Sequence, residues 1–327
     1  MLFLHTLQHF AVDGICGAVL AAYAVNEIYL EPIIYFFGLY NLIAFGSQWL
    51  IGLIIDKKFS LTPYAFIISL ITLALGTIAT IEIIYKVILI GIGNSLFHVA
   101  GGSLILRRYS TYKELGIFVS SGAIGLALGL NQIINAMTFL IIYAIITAFV
   151  LKNLREVLPV NHSSPQNNNY QLHLAHYTLI ILLLACVILR SFGGSNDSTE
   201  YIMLFPCVFA FGKMIGGLCC DKIGFNNTIL LIFVMSFVAL QFNGLMSMII
   251  LTLAFNMTMP LTLRLVHFCN PNYPGLMFGL AAGCLLPGAF FSDNFKMIPQ
   301  AMIVIQFLSL FIAGYLFKKY SQRQIEL

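Results

Sequence analysis

Long apolar runs constrain this chain more than any other feature. A helix needs about 20 apolar residues to cross the hydrocarbon core of a bilayer, and run after run approaches that length. Of the 327 residues, 60% are hydrophobic and only 9% are charged, whereas soluble domains carry about 25% charged residues. No soluble core hides this much apolar surface, so the sequence predicts an all-α polytopic membrane protein.

The runs predict about twelve transmembrane helices. We place them at residues 6–26, 33–55, 62–82, 86–106, 114–132, 134–151, 174–192, 200–220, 227–243, 246–265, 274–292 and 297–317. Two boundaries, at 82–86 and 242–247, contain so little polar sequence that each is either a tight hairpin or one long bent helix. The polar stretch 152–173 is predicted to be a linker between an N-terminal half, 1–151, and a C-terminal half, 174–327.

Basic residues are concentrated in alternate loops. One set of loops holds Lys57, Lys58, Arg107, Arg108, Lys113, Lys152, Arg155, Lys222, Arg264, Lys318, Lys319 and Arg323, and the opposite set holds only Lys86, Arg190 and Lys296. Since Lys and Arg accumulate on the cytoplasmic side, both termini and the linker are predicted to be cytoplasmic. This distribution orients helices, so the net charge of +4 does not indicate a nucleic-acid partner.

Three features recur in the same order at an offset of about 160 residues. Gly52-x-x-x-Asp56-Lys57 ends the second span, and Gly217-x-x-x-Asp221-Lys222 ends the eighth. An asparagine lies in both the fourth and the tenth spans, as Asn94 and Asn256. Glycines recur in the fifth span, as Gly116, Gly122, Gly125 and Gly129. They recur again in the eleventh span, as Gly275, Gly279, Gly283 and Gly288. The recurrence predicts two homologous halves of six spans each.

Polar side chains inside the first and fourth spans are candidates for function, because such groups are costly in hydrocarbon. Asp13 must pair, bind a proton or reach water, which suits it to proton transfer, and His9 lies one helical turn away. Asn94 and His98 also share a helix face. The alternatives are that Asp13, about 10 Å into its helix at 1.5 Å per residue, is solvated from the surface, and that His98 is a core histidine bonded to a neighbouring helix.

The remaining residues have simpler interpretations. Gly93, Gly101 and Gly102, like Gly122, Gly125 and Gly129, are predicted to allow close helix packing. Arg190 either attracts an anionic substrate or snorkels to the outer interface, and we favour snorkelling for it and for Lys213. Seven cysteines show no metal-binding spacing. Phosphate-loop and hydrolase motifs are absent from the sequence, so no enzymatic activity, cofactor or metal is predicted.

Taken together, these motifs resemble the major facilitator superfamily of transporters. Gly52 to Lys57 and Gly217 to Gly224 are similar to its cytoplasmic loop motif, although Phe59 replaces the usual glycine, and the fifth-span glycines are similar to a motif of antiporters. A narrower resemblance, to the fosmidomycin-resistance-like efflux group, rests on His9-x3-Asp13 and on Gly91 to His98. That group usually continues with proline and an acidic residue, whereas this chain has Val99-Ala100.

The resemblance implies a function for these residues. The first, fourth, seventh and tenth helices would line a central cavity, so that Asp13, His9, His98, Asn94 and Asn256 would face the substrate. Asp56 and Asp221 would cap neighbouring helices and hold the outward-facing state.

We therefore expect a monomeric secondary active transporter in a bacterial cytoplasmic membrane, exchanging a small organic solute for protons, with the lipid bilayer as its surroundings. The predicted mechanism is proton-coupled efflux by alternating access, with Asp13 and His98 carrying the proton. The alternatives are a proton-coupled uptake symporter and a non-transporting sensor or assembly protein. Few of the residues predicted to face the cavity are polar or charged, which favours a small amphipathic or weakly charged substrate.

Overall fold

The computed structural model describes residues 1–24, 30–153, 174–192, 202–291 and 299–325, and all regular structure in these ranges is helical. The helices of the first half are α1 (Leu2–Ala24), α2 (Leu30–Gly46), α3 (Gln48–Lys57), α4 (Thr62–Ile78), α5 (Ile83–Arg108), α6 (Tyr112–Leu130) and α7 (Ala136–Lys152), with a 3₁₀ turn at Phe59–Leu61. Those of the second half are α8 (Leu174–Phe192), α9 (Leu204–Ile223), α10 (Phe225–Ala239), α11 (Leu245–Cys269), α12 (Pro274–Gly283), α13 (Leu286–Phe291) and α14 (Pro299–Ile325).

Each predicted apolar run coincides with helix. Among the described residues, eight helices are long and apolar enough to cross a membrane, and four more apolar helices are shorter: Ala136–Lys152, His176–Phe192, Phe225–Ala239 and Pro274–Phe290. The chain is thus an all-helical polytopic membrane protein. Both doubtful boundaries are breaks between separate helices, and Gly244, with a φ of 67° that side chains disfavour, turns the chain into α11. The predicted linker lies almost entirely outside the described residues.

Two predicted spans are interrupted. The second is divided at Ser47, whose hydroxyl donates to the Ile43 carbonyl at 2.7 Å and so competes with the helical backbone pattern. The eleventh is divided between Gly283 and Leu286, directly before Pro287, which disfavours helical geometry in the residue that precedes it. The first span begins at Leu2 instead of residue 6, so Asp13 lies near the middle of a 23-residue helix.

Large apolar side chains cover the outside of the bundle. Each peripheral helix carries a stripe of them, as at Ile141, Ile145 and Phe149 of α7 and at Val304, Leu308 and Phe311 of α14. Such surface is incompatible with water and suits a hydrocarbon solvent. Inside, one apolar core consists mainly of α1–α7 and a second of α8–α14.

Glycines bring the two halves of the chain together. A Cβ on Gly52 of α3 would overlap the Gly275 backbone of α12, and a Cβ on Gly217 of α9 would overlap the Tyr112 backbone of α6. Both helix pairs therefore pack at backbone distance, as small residues allow in membranes. Within the first half, Gly125 and Gly129 of α6 pack against the α1 backbone in the same way. This packing fixes which face of α1 meets the bundle interior.

Candidate functional site

Asp13, His9, His98 and Asn94 form one hydrogen-bonded cluster between α1 and α5. Asp13 Oδ1 accepts a hydrogen bond from Asn94 Nδ2 at 2.9 Å. The Nε2 atoms of His9 and His98 lie 3.3 and 3.5 Å from the carboxylate oxygens of Asp13. The Asp13 side chain is only 16% exposed, so this carboxylate is paired inside the bundle and not solvated from the surface.

The two histidines are held in defined orientations. His9 Nδ1 is 2.8 Å from the Phe118 carbonyl oxygen, and His98 Nδ1 is 2.9 Å from the Asn94 carbonyl oxygen. A carbonyl only accepts hydrogen bonds, so each Nδ1 must carry a hydrogen. The two Nε2 atoms are 2.9 Å apart, where two bare nitrogen lone pairs would repel each other. A proton between the Nε2 atoms would make this contact a hydrogen bond, and it would give the pair one positive charge to balance Asp13.

The cluster leaves no space behind it. A Cβ on Gly122 of α6 would overlap the Asp13 carboxylate and the His9 ring. The Phe97 and Phe118 rings lie 6.0 and 4.8 Å from that of His9, measured between centroids. These neighbours of the cluster are therefore apolar and tightly packed.

A cavity of about 350 Å³ borders the cluster. Asp13, His9 and His98 form part of its wall, and most of the remainder is apolar. The apolar lining is Phe45, Val119, Ala123, Leu126, Ala127, Leu130, Pro206, Phe209, Met259, Leu263, Phe278, Ala281, Ala282 and Leu285. These residues come from both halves of the chain, and the volume falls within the range of about 300–1,000 Å³ typical of ligand pockets.

Two cations also line this cavity, and for both the favoured interpretation in the sequence analysis was a different one, although a substrate-binding role was left open for Arg190. Arg190 of α8 and Lys213 of α9 were interpreted as snorkelling to the membrane surface, but both side chains border the cavity. Arg190 is buried, and its Nη1 donates to Thr262 Oγ1 at 3.4 Å. The available sequence signal was their position inside apolar runs. It did not indicate which helix face would turn inward.

The asparagine predicted in the second half lies elsewhere. Asn256 of α11 donates from Nδ2 to the Thr252 carbonyl of its own helix at 2.9 Å, and its Cβ packs near Gly212 of α9. It is not part of the cavity lining, and nothing in its contacts joins it to Asp13. Asn94 is also not part of the lining, but it contacts two lining residues, Asp13 and His98.

The paired motif residues form matching contacts at one end of the bundle. Asp56 accepts hydrogen bonds from the first amides of α12, Gly275 and Leu276, and Asp221 accepts them from the first amides of α6, Tyr112 and Lys113. Carboxylates at helix N-termini satisfy amides that lack an intrahelical partner. Lys57 and Lys222, which follow the two aspartates, are exposed.

Two arginines counted as loop charges form contacts at the same end, where Arg107 is half-buried and Arg264 is buried. Arg107 Nη2 donates to Asp56 Oδ1 at 2.9 Å. Arg264 is 1% exposed and donates to the carbonyls of Leu106 and Thr111 at 3.3 and 2.8 Å. Arg264 therefore ties α11 to the connection between α5 and α6, a role that the sequence analysis missed.

The other predicted glycines lie in helix contacts. Gly93 packs against Leu73 of α4, and Gly102 packs against Phe278 of α12. Gly101 is less confined, since an added Cβ would stand 3.3 Å from the Phe118 ring.

His9, Asp13 and His98 also form a group whose ligand atoms lie within 4.8 Å of one another, compact enough for a metal ion.

Comparison with known structures identifies the fold. The chain is similar to a crystal structure of the major facilitator superfamily transporter FucP in the outward conformation, with a TM-score of 0.64 and 13% identity over 96% of this chain and 97% of that one. It is similar to a variant of the E. coli fucose:proton symporter FucP, with a TM-score of 0.63 and 14% identity over the same shares. No family model matches the sequence, and no curated protein matches it. The chain thus has the fold of major facilitator transporters.

Proposed function

We propose that this protein is a proton-coupled secondary active transporter of a small organic solute. The observation that carries the proposal is the placement of a buried Asp13–His9–His98 cluster on the wall of a cavity formed by both halves of the chain. Intramembrane ionisable groups beside a cavity are typical of proton and substrate pathways. A sensor or scaffold of the same fold has no need of either feature.

The proposed transporter has twelve transmembrane helices in two pseudo-symmetric halves of six. The broken pairs α2–α3 and α12–α13 each count as one span. The halves are residues 1–151 and 174–327, joined by a cytoplasmic linker at 152–173, and the loop charges favour cytoplasmic termini. Alternating access then consists of rocking these halves about the cavity.

The proton is proposed to bind between His9 and His98. When it leaves, the Asp13 carboxylate faces two nitrogen lone pairs at 3.3 and 3.5 Å, without an intervening positive charge. That arrangement is repulsive, so release of the proton favours separation of α1 from α5. Asn94 holds the carboxylate in place and fixes His98 through its carbonyl group.

Asp56 and Asp221 are proposed to form the gate. Their contacts with α12 and α6, together with that of Arg264, close the bundle at the end that the loop charges assign to the cytoplasm. Breaking them would open the cavity to that side. The outward-open state would therefore be the one that these contacts stabilise.

The proposed direction is efflux, in exchange for protons, in a bacterial inner membrane. This choice rests on the glycine pattern of α6 and on the narrower sequence resemblance. Uptake by proton symport is the second candidate, and it is favoured by Arg190 and Lys213. A substrate anion held near Asp13 would strengthen proton binding, and a proton would strengthen anion binding to the same extent.

Transport into proteoliposomes under an imposed pH gradient tests both candidates. The full chain is reconstituted, and a panel of labelled solutes is offered with the gradient in each direction. Antiport moves a solute against the proton flow, whereas symport moves it along with the protons. Asp13→Asn, which preserves shape and the Asn94 contact, should abolish gradient-driven accumulation but leave solute exchange without a gradient.

The matched control is His5→Gln. His5 is a buried histidine of the same helix, but its Nδ1 contacts Gln8 and not the cluster. Gradient-driven transport should survive in this variant and be lost in His9→Gln. Gradient-driven accumulation by Asp13→Asn at the wild-type rate would show that the proton site is assigned incorrectly.

A further inference from the structure

We propose that the cavity selects an organic anion, a monocarboxylate with an apolar body, and that Arg190 and Lys213 bind its carboxylate. This inference rests on the proposed transport function and specifies its substrate class. It narrows the small amphipathic or weakly charged solute expected from the sequence to an anion, because both cations border the cavity, whereas snorkelling was the favoured interpretation.

Arg190 is positioned to bind a ligand. The side chain is 8% exposed and borders the cavity. A guanidinium offers five N–H donors, and within the described ranges the guanidinium of Arg190 forms a single hydrogen bond, to Thr262 at 3.4 Å. No carboxylate among the described residues forms an ion pair with Arg190. A buried arginine with spare donors matches a planar carboxylate, which it binds through two parallel hydrogen bonds.

Lys213 supplies a second positive charge in the same cavity. It lies within electrostatic range of both Arg190 and Asp13, and no salt bridge among the described residues includes it. Two like charges that share a low-dielectric cavity repel each other unless an anion lies between them. Their joint presence therefore favours an anionic ligand over a neutral sugar-like one.

The charge balance of the cavity leads to the same conclusion. With one proton between His9 and His98, the cluster with Asp13 is neutral. Arg190 and Lys213 then leave two positive charges uncompensated among the described lining residues. A cationic substrate would add to this excess, whereas a monocarboxylate reduces it. The electrostatics thus reject cations and favour anions.

The apolar wall limits what the rest of the substrate can be. Phe45, Phe209, Met259 and Phe278 surround the space that the cations leave free. These side chains cannot satisfy the hydroxyl groups of a sugar, and an unsatisfied buried polar group is costly. Within about 350 Å³, a small aromatic or aliphatic carboxylate satisfies both parts of the cavity.

A series of nearly isosteric probes tests the charge preference. Benzoate, benzamide and benzamidine are anionic, neutral and cationic at neutral pH, and they share a ring. Phenylacetate and hexanoate with their amides extend the series. Binding to the purified full chain in detergent is measured by calorimetry and by the shift in unfolding temperature. We expect at least one carboxylate to bind at least about tenfold more tightly than its amide, a difference of about 1.4 kcal/mol, and benzamidine not to bind.

Variants test whether the two cations carry this preference. Arg190→Gln and Lys213→Gln should each weaken carboxylate binding at least about tenfold and leave amide binding unchanged. Arg190→Lys, which keeps the charge, should recover part of the loss. The control is Lys86→Gln, because Lys86 is a half-buried lysine that lines a different cavity. Its affinity for carboxylates should equal that of the wild type.

The outcomes separate this inference from the proposed function. If no carboxylate of the panel binds, if amides bind as tightly as the acids, or if both Gln variants keep wild-type affinity, the anion site is disproved. Proton-driven transport of a neutral solute could still be observed in that case. Conversely, charge-selective binding without any response to a pH gradient would support the anion site and disprove proton coupling.

Discussion

Asp56 and Asp221 make the same contact at two separate places in the structure. In each, one carboxylate oxygen accepts a hydrogen bond from a backbone amide at 3.0 Å, and the other accepts one from the next amide at 2.8 Å. The donors begin helices α12 and α6, and each lies in the opposite half of the chain from its aspartate. The equivalence gives the repeated Gly-x-x-x-Asp-Lys motif a common physical role.

The two caps should differ in strength. Removing a side-chain cap typically costs about 1 kcal/mol, so Asp221→Asn should lower the thermal midpoint in detergent slightly. Asp56→Asn should lower it more, because the Asp56 side chain is fully buried and also pairs with Arg107. Exposed Lys57→Gln and Lys222→Gln are the controls and should leave the midpoint unchanged. Equal midpoints for wild type and Asp56→Asn would contradict this role.

Hydrogen exchange provides a local readout of the second cap. The amides of Tyr112 and Lys113 donate to Asp221, so Asp221→Asn should speed their exchange. The Gly275 and Leu276 amides donate to Asp56. Their exchange rates should be unaffected if the two capped helix N-termini open independently. Faster exchange at both pairs would indicate that the two caps open together, as a rocking gate requires. Unchanged exchange at Tyr112 and Lys113 would rule out the contact.

Gly122→Ala should impair the proton site directly. Its Cβ would overlap the Asp13 carboxylate and the His9 ring, and it would push α6 away from α1 or displace the cluster. We expect gradient-driven transport to fall at least about tenfold, equivalent to about 1.4 kcal/mol. Gly101→Ala is the matched control, because its Cβ would stand 3.3 Å from the Phe118 ring and 3.5 Å from the Phe97 ring, without overlapping either. Comparable transport by the two variants would argue against a sterically fixed cluster.

The proposed shared proton site requires both histidines. In detergent, a pH-sensitive dye reports the proton that the protein exchanges with the solution when substrate binds. His98→Gln and His9→Gln should each abolish this dye signal. The double variant should be no worse than either single one, because the two Nε2 atoms form one site. Additive losses in the double variant would indicate two separate proton sites.

Arg264→Met should loosen the connection between α5 and α6. The guanidinium holds the Leu106 and Thr111 carbonyls, and methionine keeps much of the apolar bulk of the side chain without the donors. We expect a lower thermal midpoint by several degrees, since a lost buried charged hydrogen bond costs about 1.5–3 kcal/mol. The control is Arg108→Met, because Arg108 is exposed. Its thermal midpoint should equal that of the wild type, and an equal loss in both variants would show that stability depends on the total charge at this end.

Much of the fold is predictable from local sequence. Helix positions follow from apolar runs, and errors arise only at ends, as at Leu2, or at breaks caused by single residues such as Ser47 and Pro287. The shared face of His9 and Asp13, and that of Asn94 and His98, were predicted from spacing because residues four apart lie on one side of a helix. Their meeting across α1 and α5 required the resemblance to a known fold.

The sequence by itself determined the membrane solvent and the helix order. These depend on composition and spacing along the chain. Only the tertiary structure decided that Arg190, Lys213 and Arg264 turn inward and that Asn256 contacts its own helix. The rotation of each helix is set by close packing at glycines such as Gly52, Gly122 and Gly217. That packing involves residues far apart in sequence, and it decides which polar side chains reach the cavity.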